Sequence, residues 1–278
     1  MREYDLAFSM GFGCGCSKSL RAAKLQFASY PMDWIGSVGL TQSVQTLVTD
    51  FAGWFDASDL ELFEVHRERD SIHRIYVNRK TGFVFGHDFT SAHPFAESHA
   101  AAVGRYARRI ERLMAEIRGS RRVLVAFVER PSRPRIGNEE LLAARAALVA
   151  KFPSVQFDIA YFYHRDNCAA PMPETVADGV EAIACSYRII ECGMVSHAIR
   201  NDQITQYLAA NMRARDRRTE TERDQFAQEK RTKAEQDRYG AGGALAQWWN
   251  RLQFRWCRRL EEDLKEKGLL PPERSPVA

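Results

Sequence analysis

The chain has 278 residues, 45% of them hydrophobic and 27% charged, which is enough apolar material for one sizeable core with appendages. A formal net charge of +4, with acidic residues interleaved among the basic ones, is too mild to indicate specific nucleic-acid binding. No apolar run approaches the roughly 18 residues of a membrane span, and the N-terminus lacks a basic segment followed by a hydrophobic one. A cytoplasmic protein with reduced thiols and no transmembrane span is therefore expected.

The first element is an apolar run ending in Met10, read as a buried strand. Gly11, Gly13 and Gly15 then suggest a tight turn, and Ser17 to Lys24 a helix. Cys14 and Cys16 thus stand where strand becomes helix. Exposed amides at a helix start favour negative charge, so a thiol there gains nucleophilic character. Packing is the commoner role for a cysteine at the end of a core strand, and spacing alone leaves both roles open.

Phe27 to Trp34 reads as irregular, with Pro31, and returns Asp33 and Trp34 toward the start of the chain. Trp34 is expected in the core. Asp33 could cap or brace the loop, or orient a catalytic histidine. Leu40 to Phe55 reads as a helix with Val44, Leu47, Val48 and Phe51 on one face. Leu60 to Val65 is ambiguous. Ile72–Asn78 and Phe83–Phe89 read as a hairpin around Arg79–Gly82, ending in His87 and Asp88. His87 is then a strand-end residue beside a loop, and Asp88, if the strand stays regular, points to the opposite face. His66 and His73 lie in charged sequence that suits the surface.

Ala96 to Arg118 predicts a long helix, with Val103, Tyr106, Ile110, Leu113 and Ile117 on its apolar side. Arg105, Arg108, Arg109 and Arg112 form a basic side whose ordinary meaning is solvation and pairing with Glu111 and Glu116, an anion clamp being the sharper alternative. Arg122–Val128 reads as a buried strand, Asn138–Phe152 as a helix, Val155–Tyr163 as a strand, and Ala182–Glu191 as one more. Such alternation predicts an α/β fold: a mostly parallel sheet with helices on both faces, an inserted β-hairpin and a helical C-terminal extension. Ligands bind off the carboxyl ends of such strands, and Cys14 follows one. The core domain is expected over residues 1–196. Residues 197–278 are expected to form a charged helical extension. Its last helix, Ala244–Lys267, carries a Leu245, Trp249, Leu252, Trp256 and Leu260 stripe suited to docking on the main domain, on a partner or a second copy as in a homo-oligomer, or on a membrane surface.

Phe8–Gly11, Cys14, Leu20–Arg21, Ser29–Ile35, Phe85–Phe89 and Tyr106–Leu113 together resemble motifs of a bacterial and viral family named for papain-like cysteine peptidases, whose function is unknown. The resemblance spans about the first two-thirds of the chain and implies Cys14 as nucleophile and His87 as its partner. The tryptophan after the cysteines, the Gln before the nucleophile and the Asn-Ser-Trp element of papain itself are missing, so periodicity sets the fold expectation.

The six cysteines, Cys14, Cys16, Cys168, Cys185, Cys192 and Cys257, show neither a disulfide framework nor a paired zinc knuckle. Cys14, Cys16 and His87 offer three zinc ligands without an evident fourth, and no metal or other cofactor is expected. The first functional expectation is a cysteine-dependent hydrolase or acyl transferase. Cys14 is its nucleophile, His87 its general base, Asp88 or Asp33 the group that fixes the imidazole, and amides after the Gly-rich turn the oxyanion site. Its substrate would be a small molecule, a peptide or a glycan-linked compound. The alternative is a phosphate- or nucleotide-sugar-binding transferase or binding module that uses the same Gly-rich turn.

Overall fold

The computed structural model describes residues 1–36, 39–68, 71–89, 93–192, 196–200, 202–216, 218–221, 223, 224 and 228. The chain divides into two compact units, residues 1–216 and 217–278. The second is described only at 218–221, 223, 224 and 228, so the expected helix at 244–267 lies outside the described residues.

The first unit is mixed α/β. Its strands are β1 (Arg2–Tyr4), β2 (Leu6–Ser9), β3 (Leu60–Glu68), β4 (Ser71–Asn78), β5 (Val84–Phe85), β6 (Arg122–Val128), β7 (Gln156–His164), β8 (Met172–Ala177), β9 (Val180–Cys185), β10 (Arg188–Cys192), β11 (Ser196–Arg200) and β12 (Met212–Ala214). Its helices are α1 (Gly13–Ala22), α2 (Leu40–Val48), α3 (Phe95–Arg118), α4 (Asn138–Lys151) and α5 (Asp202–Asn211). The central sheet runs β2-β6-β7-β9-β8, with β2, β6, β7 and β9 parallel and β8 antiparallel at the edge. Such strands are apolar at nearly every position because each side of the pleat meets other protein. Along β6, Val123, Val125 and Phe127 join a cluster with Leu47 of α2, Leu113 of α3 and Leu148 of α4. The alternate residues Leu124, Ala126 and Val128 join another with Leu20 of α1 and Leu208 of α5. This two-residue period lets one strand feed both clusters.

Several boundaries differ from the sequence reading, each for a local reason. The 40–55 helix stops at Val48, because Asp50 and Phe51 turn into the left-handed region at φ of 56° and 59°. Trp54 and Phe55 nevertheless reach the core from that turn. The expected hairpin is a three-stranded antiparallel sheet, β3-β4-β5, whose third strand has only two residues and ends before His87. Val103 of α3 is exposed, while Met114 is buried. The single strand expected at 182–191 is two, β9 and β10, in different sheets.

The core also extends past the expected boundary at residue 196. β12 pairs in parallel with β1 in the register Arg2–Met212, Glu3–Arg213, Tyr4–Ala214, and the Arg215 amide donates to the Tyr4 carbonyl. Ile204 and Leu208 of α5 are fully buried, so residues 196–214 belong to the first unit rather than to an extension. Among the described residues, no helix is long and apolar enough to cross a membrane.

Candidate functional site

The glycines after β2 act through packing and turn geometry. A Cβ on Gly11 would stand 2.3 Å from the Val128 amide nitrogen, because the chain here still lies against β6: the Met10 and Phe12 amides donate to Ala126 and Val128 carbonyls. Gly13 has φ of 58° and starts α1, so the helix begins earlier than Ser17 and takes Cys14 into its first turn. The preceding Phe12 supplies no side-chain cap, and the first turn holds no acid. Cys14 thus stands near the positive end of the α1 dipole, where negative charge is favoured.

The two cysteines of the turn part company. Cys16 is buried in the second cluster with its Sγ 3.3 Å from the Ala126 carbonyl, and burial pushes its thiol up to about 12. It is a core residue. Cys14 is half-buried.

Cys14, Ser17 and Arg21 recur at i, i+3 and i+7 and so share one stripe of α1. That stripe faces the 28–34 loop. Ser17 Oγ donates to the Cys14 carbonyl at 3.2 Å and lies 3.1 Å from the Asp33 carbonyl, bridging the two expected site residues through their backbones. The Asp33 carboxylate is fully buried in the short 3-10 helix Pro31–Trp34. Its Oδ2 accepts from Arg21 (2.8 Å), Gln26 Nε2 (2.7 Å) and the Tyr30 amide (2.9 Å). Its Oδ1 has no partner among the described residues. Burial raises the Asp33 acid above its ordinary value, against the opposing pull of Arg21, the Tyr30 amide and Gln26. Asp33 thus braces the loop onto α1.

Trp34, expected in the core, is only half-buried. It lies between the Arg21 guanidinium, 5.6 Å from its ring, and the His87 ring, which meets it edge-on at 6.5 Å. His87 is exposed, just beyond β5, and β5 is held beside the loop by paired hydrogen bonds between Gly36 and Val84. Cys14 and His87 therefore flank the same short element. Asp88 turns the other way: Oδ1 accepts from Arg105 (2.9 Å) and Oδ2 from the Tyr106 hydroxyl (2.6 Å), both on α3. That geometry makes Asp88 a tie between the β5 end and α3.

A second polar group, not singled out in the sequence, occupies the carboxyl ends of β6, β7 and β9. Glu129 is buried directly after β6, and its acid is raised by burial. It accepts from the Arg130 amide and lies 3.4 Å from the Tyr161 hydroxyl, while Tyr187 donates to its carbonyl at 2.6 Å. The Tyr187 amide donates to His164 Nδ1 at 3.2 Å, which leaves Nε2 as the proton-bearing nitrogen facing Asp166 at 3.1 Å. A charge immediately after the apolar run Val123–Val128 was the available signal. Arg130 then sets its guanidinium 4.6 Å from the Phe12 ring, beside the start of α1.

His99 is structural, stacked on Phe55 at 5.1 Å with Nε2 2.9 Å from the Phe55 carbonyl. Among the described residues, no group of three or more His, Cys, Asp or Glu side chains is arranged to hold a metal. No family model matches the chain, and no curated protein or solved structure matches it significantly.

Proposed function

We propose that the protein is a cysteine-dependent hydrolase of peptidase-like type, or an acyl transferase, acting in the cytoplasm with Cys14 as nucleophile and His87 as general base. The observation that supports this best is the place of Cys14. It stands in the uncapped first turn of α1, past the carboxyl end of a parallel strand, on the stripe that meets the loop against which His87 leans. The Cys14, Asp33–Trp34 and His87–Asp88 motifs that resemble the papain-like cysteine peptidase family agree with it. The sheet is then read as covered by helices on both faces, α1 and α5 on one and α2, α3 and α4 on the other, as their separate clusters favour.

In this mechanism the imidazole of His87 takes the Cys14 proton, the thiolate attacks an acyl carbon, and leading amides of α1 stabilise the oxyanion. His87 later returns the proton to the leaving group. Asp33 contributes by fixing the loop, and so Trp34, against which the imidazole rests. A limiting dose of iodoacetamide read by peptide mass spectrometry tests the assignment. Cys14 should be modified first, with Cys16, Cys168 and Cys185 protected by burial. Equal, slow labelling of all cysteines would end the nucleophile reading.

A further inference from the structure

We infer that this site takes a substrate bearing a negatively charged phosphate or carboxylate group, held by Arg109 and Arg112 of α3; the inference rests on the cysteine-site reading for what happens to that substrate. Positions 105, 109 and 112 recur at i, i+4 and i+7 and form one stripe of α3. Both ends of the stripe are tied to the elements around His87 and Trp34. Arg105 binds Asp88, the residue after His87, and Arg112 Nη1 reaches the Ser29 carbonyl at 3.5 Å. Ser29 Oγ accepts from Arg21 at 3.1 Å, Arg21 lies against Trp34, and Trp34 meets His87. These contacts anchor Arg105 at the segment after β5 and Arg112 at the 28–34 loop, with Arg109 between them on the helix.

Arg21 and Arg105 already have carboxylate partners, which leaves Arg109 and Arg112 for an incoming anion. Asp33 is buried against Arg21, Asp88 is bound to Arg105, and Glu116 accepts from the Tyr30 hydroxyl at 2.5 Å. The ordinary role of the α3 arginines, pairing with Glu111 and Glu116, is not what the structure shows. Among the described residues neither Arg109 nor Arg112 makes an ion pair: Arg109 lies over the Tyr106 ring at 5.7 Å, and Arg112 has the Ser29 carbonyl. Two guanidinium forks one turn apart, neither in an ion pair and that of Arg109 lying over an aromatic ring, suit bidentate recognition of a phosphate or carboxylate.

The test uses the full chain at low salt, titrated calorimetrically with inorganic pyrophosphate and separately with citrate. Saturable binding is expected, weakened about tenfold in an Arg109→Gln/Arg112→Gln double variant and unchanged in Arg118→Gln, an exposed arginine of the same helix. Thermal melts would establish that the variants fold. Tighter pyrophosphate binding identifies a phosphoryl group, and tighter citrate binding a carboxylate. Absent saturable binding, or equal binding by the double variant, would overturn the inference. Cys14 alkylation by iodoacetamide on the same samples separates the two ideas. Arginine-dependent binding with an inert Cys14 supports the anion site and removes the nucleophile; a reactive Cys14 without such binding does the reverse.

Discussion

Replacing Asp33 by alanine probes whether this residue is a brace or a catalytic partner. The carboxylate is fully buried and accepts three hydrogen bonds through one oxygen, two of them from Gln26 and the Tyr30 amide in the buried loop. Its removal strands those donors and leaves Arg21, whose side chain is 27% exposed, partly able to recover water. Breaking a buried charged network of this kind costs about 3 kcal/mol, which lowers a urea midpoint by roughly 1–2 M at ordinary m-values. Asp33→Asn keeps one acceptor and should cost less. Linkage gives a further signature. A carboxyl raised in the folded state above its ordinary 3.8 contributes stability that is full below that value and is lost as pH rises through the folded value. Asp33→Asn should flatten that fall, measured by urea titration across acidic pH. A loss under about 1 kcal/mol for Asp33→Ala, together with a slowed Cys14, would refute the brace and make Asp33 the group that orients His87.

Other expectations concern the frame of the site. Gly11→Ala drives a Cβ into the Val128 backbone nitrogen and should cost about 3 kcal/mol or prevent folding, seen in thermal melts. Asp88→Asn should destabilise by about 1–2 kcal/mol through the Tyr106 contact, the half-exposed Arg105 adding little, while leaving Cys14 alkylation at its native rate. Truncation after residue 216 should leave a cooperative fold by circular dichroism. Truncation after residue 196 should not, since it removes buried Ile204, Leu208 and the β12 partner of β1.

The regular part of the fold was legible because β6 and β7 are long and mostly apolar and are joined by α4, which buries Leu141, Ala144 and Leu148. The region after Cys185 was not, because β12 has three residues and its partner β1 lies at the other end of the chain, a pairing that local periodicity cannot encode. Likewise, the 40–55 segment keeps helical spacing through its turn, so only backbone angles at Asp50 and Phe51 reveal the stop. At the candidate site, the turn position of Cys14 and the loop position of His87 beyond a hairpin strand were legible in the sequence. The roles of Asp33 and Asp88 could not, since which donors reach a carboxylate is decided by tertiary contacts from α1 and α3. Cys16 differs from Cys14 only by its face of α1, which the misplaced helix start concealed.

The most direct measurement of the central claim is the iodoacetamide alkylation rate of Cys14 at neutral pH in the wild type and in His87→Ala, with thermal melts on both. If His87 activates the thiol, its loss should slow alkylation about tenfold while the melt is little changed, because a nearby imidazolium stabilises the thiolate and the exposed ring contributes little packing. An unchanged rate with a lowered melting temperature would contradict the account and make His87 a structural neighbour of Trp34.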